Sequence, residues 1–319
     1  MAAKDLTGID TIFFDVYSNR TGSNLKFGLK NGTVSSPVSQ WKMNDNAATT
    51  VVIDSVGSNA GTSAQNTDQL DSTGKINGAL SFNGSTDYIS CGNTGLPTGS
   101  SARTICMWVN PDAITVANAA LFSYGTVAAY EAIGWNFAAS TQKLQVGRYG
   151  GNASANSSTD VPLGEWSHVA FTYDSGNIVY YLNGVADGTA TIADVNTGST
   201  YCEIGRCWNS AAQQHDGLMD DVRIYDFALS ASDISAVYNS GSGTEDENPV
   251  VISTETTPNI TSASTWQTVT WDISAVADVD KDAIDTFIIT AVDADAANTF
   301  YVDNIYAGTA DSDIFQMVN

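Results

Sequence analysis

The most regular feature of the chain is a hydrophobic period of two. In TIFFDVYS, Ile12, Phe14 and Val16 fall on one face, and in RTICMWVNP, Ile105, Met107 and Val109 do the same. HVAFTYD alternates Val169, Phe171 and Tyr173, and WQTVTWDIS alternates Val269, Trp271 and Ile273. Successive side chains of a strand point to opposite sides, so each stretch predicts a strand with one face on a core. IVYYLNG ends in Asn183-Gly184, a dipeptide suited to the positive-φ positions of a two-residue hairpin. Clusters of Gly, Ser, Asn and Asp separate these short runs. A helix signal covers Ser230 to Tyr238, with Ser230 as N-cap and Asp233 three residues on. The pattern predicts an all-β chain of antiparallel sandwiches.

Two turn-rich stretches, NGTVSSPV (31–38) and NSGSGTEDENPV (239–250), bracket the middle of the chain. The piece before them is too short to bury a core alone, and the piece after them is marginal. The simplest organisation makes 1–37 and 250–309 two halves of one split β sandwich. The block 38–240 is then an insertion at a loop tip, with 241–249 as linker and 310–319 as tail. The alternative is two tandem units with an N-terminal arm.

Within the middle block the order of VSQWKMND, GALSFNGSTDYISCG, RTICMWVNP, GEWSHVAFTYDSGNIVYYLNGV and DGLMDDVRIYDFALSASDISAVYN resembles the laminin G-like jelly roll. That domain belongs to the concanavalin A-like lectin/glucanase superfamily. The resemblance implies two curved antiparallel sheets, a ligand that is carbohydrate or protein, and a structural calcium. It also implies a setting in adhesins or secreted enzymes. Trp166, Val169, Phe171 and Tyr180 are core candidates, with Trp41 and Trp108 expected between the sheets. Where the family carries Asp-Gly, this chain has Asn83-Gly84, and the later Asp87-Tyr88 is kept. The outer pieces, through STWQTVTWDIS and NTFYVDNIYAG, are similar to galactose-binding-like carbohydrate modules.

Charge narrows the partners. With 12 basic and 35 acidic residues the formal net charge is −23, which repels nucleic acid and anionic lipid. The same excess attracts divalent cations, or serves solubility in a salty or extracellular setting. No apolar run is long enough to span a bilayer, and MAAKDLTGID holds no apolar signal core. The expectation is a piece of a longer extracellular or cell-surface protein with neighbouring domains. Cys91, Cys106, Cys202 and Cys207 fit free thiols or disulfides, and the Cys202/Cys207 spacing suits a loop-closing bridge.

The superfamily's glucanases set paired carboxylates on one strand as Glu-x-Asp-x-Glu. This chain has no such strand: Glu131, Glu165 and Glu203 are isolated, and Glu245-Asp246-Glu247 are adjacent. The expected role is therefore non-catalytic, with glycoside hydrolase the weaker choice. His168 reads as a structural strand histidine, and His215 sits in the loop NSAAQQHDG. Strand alternation puts Asp220 on the inner face with Val222 and Ile224, and Asp221 outside with Arg223, solvated or salt-bridged. A lone carboxylate at a core edge is costly unless paired or metal-bound. The resemblance implies Asp220 as a calcium ligand, assisted by carbonyls and by Asp45 or Asp54. Asp54 also reads as an Asx-turn acid. Asp303 is the corresponding candidate in the outer sandwich, or a plain edge-strand acid.

Sugars bind through aromatic faces plus amide and carboxylate hydrogen bonds on loops. The candidate loops, 123–136, 147–158 and 205–217, offer Tyr130, Tyr149, Trp208, Asn209, Gln213 and His215. The expected function is recognition of a glycan, or of a cell-surface protein, by a calcium-stabilised module in cell adhesion. The rival is a structural spacer that binds nothing.

Overall fold

The computed structural model describes residues 5–114, 119–138, 141–208, 210, 213–276, 281, 284, 286–292, 299–308 and 313–315. The chain divides into two compact units, one made of Met1–Val34 with Val250–Asn319, the other of Ser35–Pro249. Strands dominate both, so the fold class is all-β with antiparallel sheets.

The first unit opens with β1 (Thr11–Ser18) and β2 (Leu25–Thr33). The second unit begins with β3 (Ser39–Trp41), β4 (Val51–Val52), β5 (Gly61–Ser63), α1 (Thr67–Leu70), β6 (Asp71–Thr73) and β7 (Gly78–Asn83). It continues through β8 (Ile89–Cys91), β9 (Arg103–Pro111), β10 (Ala120–Gly125), β11 (Ala132–Phe137), β12 (Leu144–Arg148) and β13 (Gly151–Asn152). Next come β14 (Ser167–Asp174), β15 (Asn177–Leu182), β16 (Val185–Thr191), β17 (Tyr201–Ile204), β18 (Asp216–Tyr225) and α2 (Ala231–Tyr238). The chain then returns to the first unit with β19 (Val250–Thr256), β20 (Thr265–Asp272), β21 (Thr286–Ala291), β22 (Phe300–Ala307) and β23 (Asp313–Phe315).

In the first unit, sheet β20-β1-β22-β23 and sheet β19-β2-β21 share one core. The buried positions of β1 alternate strictly: Ile12, Phe14 and Val16 meet Leu25, Phe27 and Leu29 of β2. Phe14 lies 4.5 Å from Phe27 and 5.5 Å from Phe287 between ring centroids. Both ladder neighbours of β1 come from the far end of the chain, with Val16 opposite Gln267 on one side and Val302 on the other. Part of the segment read as a tail forms β23, which pairs with β22.

In the second unit, sheet β13-β12-β11-β10-β17-β8-β5-β4 faces sheet β16-β15-β14-β9-β18-β7-β6, with β3 also pairing β18. The shared core holds Trp41, Ile105, Met107, Val109, Val169, Phe171 and Tyr180. The β15–β16 hairpin turns on Asn183 (φ 50°) and Gly184 (φ 78°), and a capping box of Ser230 and Asp233 starts α2. Asn83 closes the turn that follows β7. Its side-chain oxygen accepts the N–H groups of Ser85, Thr86 and Asp87 at 3.0, 2.8 and 3.3 Å.

Several expectations change. Trp108 does not pack between the sheets; it faces outward, stacked on Tyr238 at 5.6 Å and edge-on to His168 at 5.3 Å. Trp166 is only half-buried. Residues 241–249 are not a free linker, because Arg223 donates to the carbonyls of Thr244 and Asp246 and straps this segment onto β18. The four cysteines are free thiols: Cys202 faces Cys91 across the ladder, and the Cys207 sulfur contacts the Phe122 and Trp135 carbonyls.

Replacing Phe14 with Ala should cost about 3–5 kcal/mol, the usual loss for truncating a fully buried aromatic. Differential scanning calorimetry should show the loss in the transition of the first unit, leaving that of residues 35–249 in place.

Candidate functional site

Trp135 on β11 points into the core, so Gly134 beside it faces outward. The indole of Trp208 lies directly over this glycine. A Cβ at Gly134 would come within 2.6 and 2.7 Å of the Trp208 ring, so only glycine admits the indole there. The stretch before Trp208 is anchored to the same surface, with Ser123 Oγ donating to the Arg206 carbonyl at 3.0 Å. Tyr149 meets Trp208 edge to face at 5.7 Å. Tyr130 joins through the backbone, its N–H donating to the Tyr149 carbonyl at 2.9 Å. The Arg148 guanidinium caps the Tyr130 ring at 4.0 Å and is held by its Nε–H donating to the Ala193 carbonyl at 2.7 Å.

Three aromatic residues from three loops thus converge beside β11 and β12. Tyr130 is 43% exposed and Tyr149 39% exposed, while Trp208 is half-buried. The arrangement presents apolar ring faces next to a fixed guanidinium with several N–H donors. Sequence reasoning found the aromatic residues but missed Arg148 and Gly134. The available signal was Gly134 inside an otherwise regular strand pattern, which marks a close approach.

The remaining expected ligand residues divide. Asn209 lies outside the described residues. Gln213 follows the patch, half-buried, and its Oε1 is enclosed without a hydrogen-bond partner. His215 is not a surface loop residue: it is buried between Phe82 and Phe137, at 6.0 and 6.4 Å from their rings. Burial pushes its imidazole down to about 4. His168 is buried likewise, neither ring nitrogen is hydrogen-bonded, and burial pushes it down to about 3.

The expected metal ligands are not gathered together. Asp303 belongs to the first unit, where its carboxylate accepts the Asn304 N–H at 2.8 Å. Asp54 closes a turn, accepting N–H groups from Gln40, Gly57 and Asn59 at 3.0, 2.9 and 2.9 Å. Asp45 accepts the Ile53 N–H at 3.1 Å and borders a cleft of about 490 Å³ with Val51 and Ile53. Among the described residues, no three His, Cys, Asp or Glu side chains are grouped to hold a metal.

Asp220 is different. β18 carries a bulge between Asp220 and Arg223, with Asp221 at φ 46°. The extra residue breaks the alternation expected from sequence. Asp220 faces outward opposite Trp108, and Asp221 takes the salt-bridged of its two expected arrangements, in a fully buried pair with Arg223 at 2.9 Å. Asp220 Oδ2 accepts the Ile76 N–H at 2.7 Å, while Oδ1 is buried with no partner. Burial, with the charges of Asp221 and Glu245 nearby, pushes its carboxyl up to about 8. Glu245 accepts from the amides of Asn44 and Asn77 at 2.7 and 3.0 Å, so the surroundings are rich in hard oxygen atoms.

A family profile described as the concanavalin A-like lectin/glucanases superfamily matches residues 83–235. No curated protein matches the chain. Among solved structures, the chain is similar to domain 4 of AbnA, a GH43 extracellular arabinanase from Geobacillus stearothermophilus, in complex with arabinotriose. That match has 24% identity and a TM-score of 0.51, covering 64% of this chain and 98% of that domain. A Trypanosoma rangeli sialidase mutant displaying trans-sialidase activity matches at 15% identity and a TM-score of 0.49, over 66% of this chain. Only 34% of that sialidase is spanned. The arabinanase match shows the jelly-roll fold of the second unit.

The two histidines predict a specific acid sensitivity. Each is neutral in the fold at pH values where the unfolded chain, with an ordinary histidine near 6.5, takes up a proton. Stability present above 6.5 is therefore lost as pH falls towards 4. Each histidine should contribute roughly 2 kcal/mol of that loss by pH 5. His168→Phe removes two unpartnered nitrogens, so urea unfolding should find it as stable as the parent at pH 7 and less acid-sensitive between pH 7 and 5.

Proposed function

We propose that residues 35–249 form a non-catalytic recognition module for glycans, working through the Tyr130–Tyr149–Trp208 surface with Arg148 as polar partner. The convergence of three ring faces around Gly134 carries this reading. Sugar C–H groups stack on such faces, and hydroxyl groups accept from a guanidinium. The fold shared with an arabinanase domain solved in complex with arabinotriose supports the class of ligand. An extracellular or cell-surface setting fits that neighbour, and among the described residues no helix is long and apolar enough to cross a membrane.

The acids support binding rather than hydrolysis. Glu203 is engaged by Arg206, and Glu245 by Asn44, Asn77 and Lys42, so both act in the scaffold. The first unit is read as a carbohydrate-module-like sandwich. A second reading, a protein partner, draws on the cleft beside the exposed side chains of Val51 and Ile53.

A glycan array with the intact chain should give a signal that Trp208→Ala reduces at least ten-fold without changing the melting temperature. An array silent for the parent chain overturns the glycan reading in favour of a protein partner or a spacer.

Calcium belongs to the same proposal. The orphaned Oδ1 of Asp220 and the nearby oxygens of Glu245, Asn44 and Asn77 suit a hard cation. Such an ion would neutralise a buried acid and fasten the last strand. Asp45, Asp54 and Asp303 are left out of this set. Without the ion, the raised carboxyl makes stability fall as pH rises from about 4 towards 8, where Asp220 ionises. At pH 8.5 calcium should raise the melting temperature over that in chelator, and Asp220→Asn should abolish the difference. A parent chain indifferent to both additions ends the calcium reading.

A further inference from the structure

The first unit carries an aromatic surface of its own. On the outward face of β20-β1-β22, Trp266, Tyr17 and Tyr301 stand in register across three strands. Their ring centroids are spaced 5.8 and 5.6 Å apart. Trp266 is 49% exposed and Tyr301 57% exposed, with the half-buried Tyr17 between them. At the other end of the same face, Phe13 and Tyr306 stack at 5.2 Å with their planes 19° apart.

Between these two aromatic rungs lies Asp15. Its carboxylate accepts from Thr268 Oγ1 at 2.6 Å and from Asn304 Nδ2 at 2.8 Å, which fixes the acid in place. Asp303 lies opposite it. Cross-strand aromatic pairs stabilise a ladder whatever else they do. That role does not call for rings left half in water on either side of a clamped acceptor.

We propose that this face is a second glycan-binding surface, and that its ligand is an extended, uncharged polysaccharide. The rings supply stacking faces for successive sugars, and Asp15, Asp303 and Asn304 supply acceptors and donors for their hydroxyl groups. Charge selects against acidic chains: among the described residues this face holds three carboxylates, Asp15, Asp272 and Asp303, and no basic group, in a chain of net charge −23. A protein partner would use the same rings, so it is the clamped acceptor between the two rungs that favours sugar hydroxyl groups. The surface is independent of the Trp208 patch, which belongs to the other unit.

The test is depletion of the intact chain from solution by microcrystalline cellulose, insoluble xylan and insoluble mannan. At least one matrix should retain the chain, and 1 M NaCl should leave retention unchanged. Trp266→Ala with Tyr301→Ala should lower the bound fraction at least ten-fold on that matrix, whereas Trp208→Ala should leave it at the parent level. If the double variant does not melt cooperatively, Tyr301→Ser replaces it. No retention on any matrix, or parent-level retention by the aromatic variant, overturns the proposal. Loss with Trp208→Ala alone overturns it too, while leaving the first patch standing. Sedimentation velocity adds one further check: a self-association abolished by the double variant would assign the face to a second copy of the chain and overturn the glycan reading.

Discussion

The buried pair of Asp221 and Arg223 organises one whole side of the second unit. A guanidinium with no exposure must have its N–H groups filled, and a buried carboxylate must have its charge answered. Asp221 accepts from Arg223 and from Gln40 at 2.6 Å, and Arg223 also donates to two carbonyls of the strap after α2. One ion pair thereby joins β3, β18 and the segment around Glu245. With the strap in place, Tyr238 covers Trp108 and His168, and β9 is buried on both faces. Over β9 the outer surface of that sheet is thereby covered.

Much of the fold was legible because burial on one face writes itself into alternate residues. Ile12, Phe14 and Val16, or Val169, Phe171 and Tyr173, are visible without coordinates, as are the Asn183-Gly184 turn and the Ser230 cap. The failures have equally local causes. A bulge at Asp221 adds one residue and reverses the alternation beyond it, which no binary pattern announces. The polar composition of 241–249 looks like a linker, yet its main-chain carbonyls are what Arg223 requires. His215 sits among small polar residues in the sequence but is folded back between Phe82 and Phe137.

The site was half legible for a related reason. Aromatic residues in loops are conspicuous, so Tyr130, Tyr149 and Trp208 could be named singly. Their meeting depends on the pairing of β11 with β12 and on the missing side chain of Gly134, both properties of the assembled sheet. The aromatic face of the first unit was hidden differently. Attention to the buried half of TIFFDVYS passes over Phe13, Asp15 and Tyr17, which occupy the intervening positions. In a strand both alternating sets carry information, and the polar-looking one is where a partner would touch.

In the first unit β2 ends at Thr33 and β19 begins at Val250, and these residues are direct ladder partners. Within the second unit, Ser36 and Asn248 exchange hydrogen bonds at 3.2 and 3.0 Å. The guest therefore holds its own ends side by side, as the host requires. Were the guest unfolded, the host would have to close a very long loop, at an entropic cost of roughly 5 kcal/mol. Folding of the interior segment removes that penalty in advance, so the stability of the host sandwich depends on the domain that interrupts it.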